Sequence, residues 1–394
     1  MQTTLARPTT TTRWVGVGAS VSTDSAVAAT EAVRAAVDGR APALVLLFSA
    51  PFHDLAVLAR TVQDEIPAGV PVIGCTTSGE LVGVEAGSGR LVAVALGGPG
   101  LTVQTAVGMI ADGPRAAGKA AAQAVVGIDR PHRALLLLTE GLTGARAELV
   151  RGAYSVAGAD VALVGGSAGD ELAMRQTHQF FHGEVLTGAV VGAAIGSDAP
   201  IGVGIGHGWR RAGEPIVVTE SDGERIFQLD DQPALDYYLR RCGVDPADFH
   251  HVDSAWRDAT EWRPLGLPRP GGEEVRAVLG ADFDDRSLLC GDTPQGTVIW
   301  VMEGDAESVM DGTRTACDEA LAGLHGAPPV GIIAFDCAAR RAVLGEDGIA
   351  AEVRLIAECA PGVPLGGFYT YGEIARTRGS RGVHNATLVL LALA

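Results

Sequence analysis

The sequence predicts an α/β protein, in which repeated strand-helix-strand-helix-strand units form two pseudo-related mixed-sheet domains. Three observations carry that expectation. Short continuous apolar runs recur at Leu44 to Phe48, Leu135 to Leu138 and Gly331 to Phe335, the pattern of buried strands. A glycine-containing corner follows each, at Val72 to Cys75, Leu163 to Gly166 and Pro364 to Gly367. Each corner then carries a glycine and an acid, Gly79-Glu80, Gly169-Asp170 and Gly372-Glu373, before a further apolar strand.

The elements follow in order. The first unit spans about 13–98. It opens with a strand from Trp14 to Gly18 and a helix from Ser25 to Val37, with Asp24 as N-cap; an Asp there satisfies the free N–H groups of the first turn. Its last strand is Leu91 to Leu96. The second unit, 101–196, has Leu101 to Val107, a helix from Arg115 to Val126, and Ala189 to Ile195. The third, 297–393, has Val298 to Met302, a helix from Glu307 to Leu324, and Thr387 to Leu393. These helices are Ala-rich, with Leu and Val at three- and four-residue spacing. The segment 197–296 reads differently. It holds a Gly-rich strand from Ile201 to Gly208, strands at Ile216 to Glu220, Val275 to Asp282 and Ser287 to Cys290, and a helix from Pro233 to Arg241; Asp253 to Gly272 reads as a loop. The expected domains are 1–220, holding two units, and 221–394, holding the strand-rich segment and the third.

Composition excludes several classes. With 47 acidic and 30 basic residues the net charge is −17. Nucleic acid and anionic membranes need a positive surface, so neither is an expected partner. The six cysteines contain no CxxC pair and read as reduced thiols of a cytoplasmic protein. No signal peptide is legible before Arg13, and the longest apolar stretch, Val185 to Gly206, is interrupted by Asp198, Pro200 and glycines. No motif marks a metal or nucleotide site: GxxxxGK[ST] and HExxH are absent, and Gly16-Val-Gly18 lacks its third glycine.

The corners are the candidate site, because ligands in open α/β sheets bind beyond the carboxyl ends of strands. Hydroxyls come from Thr76, Thr77, Ser78, Ser167, Tyr369, Thr370 and Tyr371, and charge from Glu80, Asp170 and Glu373. That mixture suits a small polar ligand, such as one with an amine. The alternative is that the acids cap turns and the glycines only bend the chain. Cys75, at a strand end, is the one suggestive nucleophile, but no base is placed beside it by spacing. His207, between glycines and before Trp209, is the one histidine considered as an axial haem ligand.

At these corners the sequence resembles a known family. Gly74-Cys-Thr-Thr-Ser-Gly-Glu80, Gly165-Gly-Ser-Ala-Gly-Asp170, Phe335-Asp-Cys-Ala-Ala-Arg340, Gly366 to Ile374 and His384-Asn-Ala-Thr387 look like the motifs of the FIST proteins. Asp222 to Leu239 is similar to the start of their C-terminal domain. The resemblance implies an N-terminal and a C-terminal FIST domain in a cytoplasmic sensory module that binds small ligands such as amino acids. It also implies a signalling partner: a histidine kinase, a diguanylate cyclase or a chemotaxis protein. Since the two domains occupy the whole sequence, output is expected through that partner in trans. NosP-type relatives are similar in sequence and bind haem to sense nitric oxide.

The leading reading is therefore a non-catalytic sensor with no cofactor. Its expected ligand-contacting set is Cys75, Thr76, Thr77, Glu80, Ser167, Asp170, Tyr369, Tyr371, Glu373 and Arg340. The alternatives are a haem-binding nitric-oxide sensor using His207, and a hydrolase using Cys75.

Overall fold

The computed structural model describes residues 12–269, 272–376 and 382–394. Its helices are α1 (Ser25–Val37), α2 (Leu55–Glu65), α3 (Pro114–Ala121), α4 (Arg146–Ala157), α5 (Ala234–Arg241), α6 (Ser254–Thr260), α7 (Ala306–Ala322) and α8 (Ala338–Cys359). The mixed α/β class is as expected.

Three six-stranded sheets share one strand order. In the first unit, Trp14–Ser20 pairs antiparallel with Leu91–Gly97, which pairs antiparallel with Leu44–Ser49, which runs parallel to Val72–Thr76. The second unit repeats this with Leu101–Met109, Ala189–Ser197, His132–Thr139 and Ala162–Ser167. The third uses Ile201–Gly206, Leu388–Leu393, Gly331–Cys337 and Leu365–Thr370. Each sheet is completed by a two-stranded hairpin lent by another unit. The first unit lends Glu80–Val82 and Glu85–Gly87 to the third. The second lends Gln179–Phe181 and Glu184–Leu186 to the first. The third lends Glu373–Arg376 and Val383–His384 to the second. The exchange is cyclic, so the three units form a closed ring.

Alternation explains the continuous apolar runs. Leu44, Leu46 and Phe48, Leu136 and Leu138, and Ile333 and Phe335 face one common core. The residues between them, Val45 and Leu47, Leu135 and Leu137, and Ile332 and Ala334, face the helices of their own unit. Strands buried on both faces read as unbroken hydrophobic runs.

Two expectations are corrected. The third unit opens with Ile201–Gly206, not with Val298 to Met302. Val298–Glu303 pairs instead with the long strand Arg210–Asp222 in a separate eight-stranded sheet. The physical reason lies in Gly202, Gly204 and Gly206. A Cβ at Gly204 would overlap the carbonyl oxygen of Ala316 on α7, so this strand must pack flush on a helix some hundred residues later in sequence. The strand-rich segment is thus an insertion between the first strand and first helix of the third unit. Residue 220 lies within Arg210–Asp222. Second, the stretch Asp253 to Gly272, expected as a loop, is regular over much of its described part. It holds α6, whose N-cap Asp253 accepts from the Trp256 N–H, and the strand Leu265–Arg269. The burial of Trp256 against Tyr238, Phe249 and Phe283 overrides the Pro- and Arg-rich composition.

Candidate functional site

The cyclic exchange draws the three corners together. The Ser78 N–H donates to the Tyr369 carbonyl and the Tyr369 N–H to the Gly79 carbonyl. Likewise Ser167 N–H donates to Gly372, Tyr371 N–H to Ser167, and Gly169 N–H to Thr76. The residues singled out by spacing do converge, but they divide into three kinds.

The first kind fastens hairpins. Glu80 is fully buried; one carboxylate oxygen accepts from the Thr77 hydroxyl and the other from the Arg90 N–H at 3.1 Å. Glu373, also fully buried, accepts from the Thr370 hydroxyl at 2.7 Å and from the Thr387 N–H and hydroxyl at 3.2 and 2.8 Å. Each opens its lent hairpin and ties it to the start of its own unit's last strand. Burial pushes both carboxyls up to about 7, against the pull of these donors. These groups are saturated by protein, so the acids do not line an open cleft. In the second unit the acid at this place is not Asp170. The register sets Glu80 opposite Phe368, Glu373 opposite Gly166 and Gln179 opposite Cys75, at matching points of the three sheets. Gln179 Oε1 accepts from the Ala189 N–H at 3.1 Å, the counterpart of the Arg90 and Thr387 bonds. Sequence reading passed over Gln179 because an amide carries no charge to mark it.

The second kind is core. Cys75 packs among Phe48, Ile73 and Val92, and burial pushes its thiol well above the ordinary range; a thiol that does not ionise is no nucleophile. Thr76 and Ser167 are fully buried. Their hydroxyls bond to the His178 N–H and to the Thr139 hydroxyl, each at 3.0 Å. Arg340 is fully buried between Asp336, at 2.9 Å, and Glu352, and also donates to Thr313 and to the His207 carbonyl. It knits the two segments of α8 to α7 and does not reach a corner cavity. His207 Nδ1 accepts the Trp209 N–H at 2.9 Å. The neutral ring therefore carries its proton on Nε2, the nitrogen an axial bond would need bare. Burial, and then the Arg340 guanidinium, push the ring down to about 4. His207 does not fit a haem iron.

The third kind borders open space. A cavity of about 310 Å³ lies between corner and helix, lined among others by Ser78, Glu171, Leu172, Arg341 and Glu346. Such a volume lies at the small end of ligand sites. Arg341 donates to the Ser78 carbonyl, stands 5.4 Å from the Tyr369 ring centroid, and meets Glu346 at 3.3 Å. The Ser78 hydroxyl lies beside that of Tyr371 but completes no hydrogen bond among the described residues. The buried Tyr369 hydroxyl likewise finds no partner among the described residues. The loop that follows Asp170 forms one wall. Tyr371 donates its hydroxyl proton to Asp170 and accepts the Leu172 N–H at 2.8 Å. Asp170 also accepts the N–H groups of Met174, Arg175 and Gln176 at 2.7–3.0 Å. Glu171, Leu172 and Met174 take positive φ, a concentration of backbone strain typical of functional loops. Of the expected set none lines this cavity: Asp170 and Tyr371 hold the loop that forms its wall, and Tyr369 lies beneath Arg341 in the core. Arg341 was missed, and its only sequence signal is that it doubles Arg340.

A profile of the FIST N domain matches residues 43–232, and one of the FIST C domain matches 234–376. The chain is 29% identical over 392 residues to Uncharacterized protein MT0656 of Mycobacterium tuberculosis, covering 95% of this chain and 97% of that one. It is 28% identical, with the same coverage, to Uncharacterized protein Mb0898c of Mycobacterium bovis. Uncharacterized protein MJ1623 of Methanocaldococcus jannaschii is 24% identical over 169 residues, 40% of this chain and 33% of that one.

Proposed function

The chain belongs to the FIST family, whose domains serve sensing and signal transduction, and on that premise we propose a non-catalytic sensor of a small polar ligand. The ligand, of the amino-acid class, binds in the cavity between Ser78, the 171–172 loop and Arg341. The observation that carries this reading is the cavity itself. It is lined by residues of all three units, Ser78 of the first, Glu171 and Leu172 of the second and Arg341 of the third, so occupancy bears on the whole ring. One cation and two carboxylates face it together, Arg341 with Glu171 and Glu346, which suits a ligand bearing both charges. The protein acts in the cytoplasm and signals in trans to a histidine kinase, a diguanylate cyclase or a chemotaxis protein. Among the described residues no helix is long and apolar enough to cross a membrane.

A thermal-shift screen with amino acids and related metabolites tests the proposal. A ligand that binds only the native state at 100 times its Kd adds about 2.7 kcal/mol and raises the melting temperature. A screen in which no compound moves it, or in which Leu172→Trp at the cavity wall leaves every hit unchanged, overturns the reading.

A further inference from the structure

The second unit contains a filled counterpart of the cavity in the third. Arg146, the first residue of α4, donates to the carbonyl of Tyr371, two residues before Glu373. Arg341 donates to the carbonyl of Ser78, two residues before Glu80. Each arginine thus clasps the lent hairpin at the same place. Their remaining donors meet different surroundings. Over Arg146 lies the insertion, which brings the Glu224 carboxylate to 3.8 Å from its guanidinium, against Gly144. Arg146 is 8% exposed and Glu224 20%, so a carboxylate from elsewhere in the chain closes that cleft. At Arg341 none of the described residues that line the cavity comes from the insertion. Its carboxylate neighbour is Glu346, which is 78% exposed and sits directly after the non-helical residue Gly345 within α8.

From this internal repeat we infer that the Arg341 cleft recognises the carboxylate of its ligand, in the manner in which Arg146 receives Glu224. Glu346 is the surface carboxylate that stands in while the cleft is empty and gives way to the ligand. This rests on the proposed sensor reading for the location of the ligand, and adds its anchoring group and a built-in competitor. An arginine fork suits a carboxylate because its N–H donors match the two oxygens. Glu346, held by one contact at an exposed position, is the weaker partner, since exposed ion pairs contribute only about 0–1 kcal/mol.

The test needs no knowledge of the natural ligand. Arginine-selective labelling by phenylglyoxal, read by mass spectrometry, follows Arg341 in the full chain. Acetate should protect Arg341, and acetamide at the same concentration should not. Glu346→Gln should strengthen the protection, because the competitor is gone. Equal protection by acetamide, or none by acetate, overturns the inference. A second arm measures each hit of the metabolite screen against its amide, and against Arg341→Gln and Arg341→Lys. Loss of the charge-assisted bonds should weaken binding roughly 10- to 100-fold, while Arg146→Gln should leave affinity unchanged. Both Arg341 variants must keep the native melting temperature within a few degrees for this arm to count; if they unfold, the labelling arm decides. Acetate protection without any hit leaves the carboxylate cleft standing and removes the sensor reading. Hits indifferent to Arg341 do the reverse.

Discussion

The second and third units share one strand order and differ in what they bury. The second closes its lent hairpin with an amide, Gln179, and covers its clasping arginine with Glu224. The third closes its hairpin with a carboxylate, Glu373, leaves Arg341 at a cavity, and buries an ionic cluster of Asp336, Arg340 and Glu352. Closing a hairpin thus needs only an acceptor for one N–H, which amide and carboxylate both supply. A buried charge at the hairpin is what the third unit has and the second lacks, and it is where these two units can be told apart experimentally.

The cluster gives the largest expected effect. Arg340→Ala leaves Asp336 and Glu352 buried together without a cation. Removing one partner of a buried ion pair costs about 3–5 kcal/mol. Burial, and then Glu352, already hold Asp336 well above the usual carboxylate range, so protonation relieves part of the cost. Urea unfolding should show the loss near pH 8 and a smaller one near pH 5. A variant as stable as the parent at both values would remove the cluster from any account of the third unit.

The latches come next. An ordinary Glu side chain titrates at 4.5, and Glu373 at about 7. Between those values the folded chain keeps a proton that the unfolded chain releases. Stability from this group is therefore present below pH 4.5 and lost as pH rises through 7, by about 3 kcal/mol in all. Glu373→Gln, which copies the second unit, should remove that slope; Gln179→Glu should introduce one. Unfolding free energies at four pH values decide it, and parallel curves for parent and variant would end the idea.

Gly345 tests the boundary between cluster and cavity. Its φ of 64° and ψ of −179° occur inside α8, between Arg341 and Glu346. A Cβ there meets no atom within 4 Å, so Gly345→Ala isolates the backbone cost of a glycine-only conformation, about 1–3 kcal/mol. A neutral substitution would show that α8 can straighten freely at this point.

Much of this comparison was legible in the sequence, and the missing parts share one cause. The apolar runs and the helix start at Asp24 follow from local pattern, and they hold. The lent hairpins do not follow from it. Gln179–Phe181 and Glu80–Val82 are three residues long, and their partners lie in other units. The opening strand Ile201–Gly206 was detached from α7 by the insertion, so its glycines read as a separate element. Arg340 and Arg341 are adjacent in sequence and opposite in environment: one is wholly buried and the other borders the cavity. Only packing separates them.

Asp170 offers the smallest effect and the opposite sign. Although burial alone would raise its pKa, the Tyr371 hydroxyl and the N–H groups of Arg175, Gln176 and Met174 hold it below the usual value. Stability from Asp170 is therefore present above the ordinary Asp range and lost as pH falls through its lowered pKa. Asp170→Asn keeps the shape and removes the charge. It should cost about 1 kcal/mol at neutral pH, since solvent near this loop screens the bonds, and nothing at low pH. Glu373→Gln flattens the curve between pH 4.5 and 7; Asp170→Asn should flatten only its acid limb. Combining the two should add without coupling, because Asp170 shapes the cavity wall while Glu373 fastens a hairpin. A coupling energy well above about 0.5 kcal/mol would mean that loop and latch move as one, and that the cavity wall senses the state of the third unit's carboxylate.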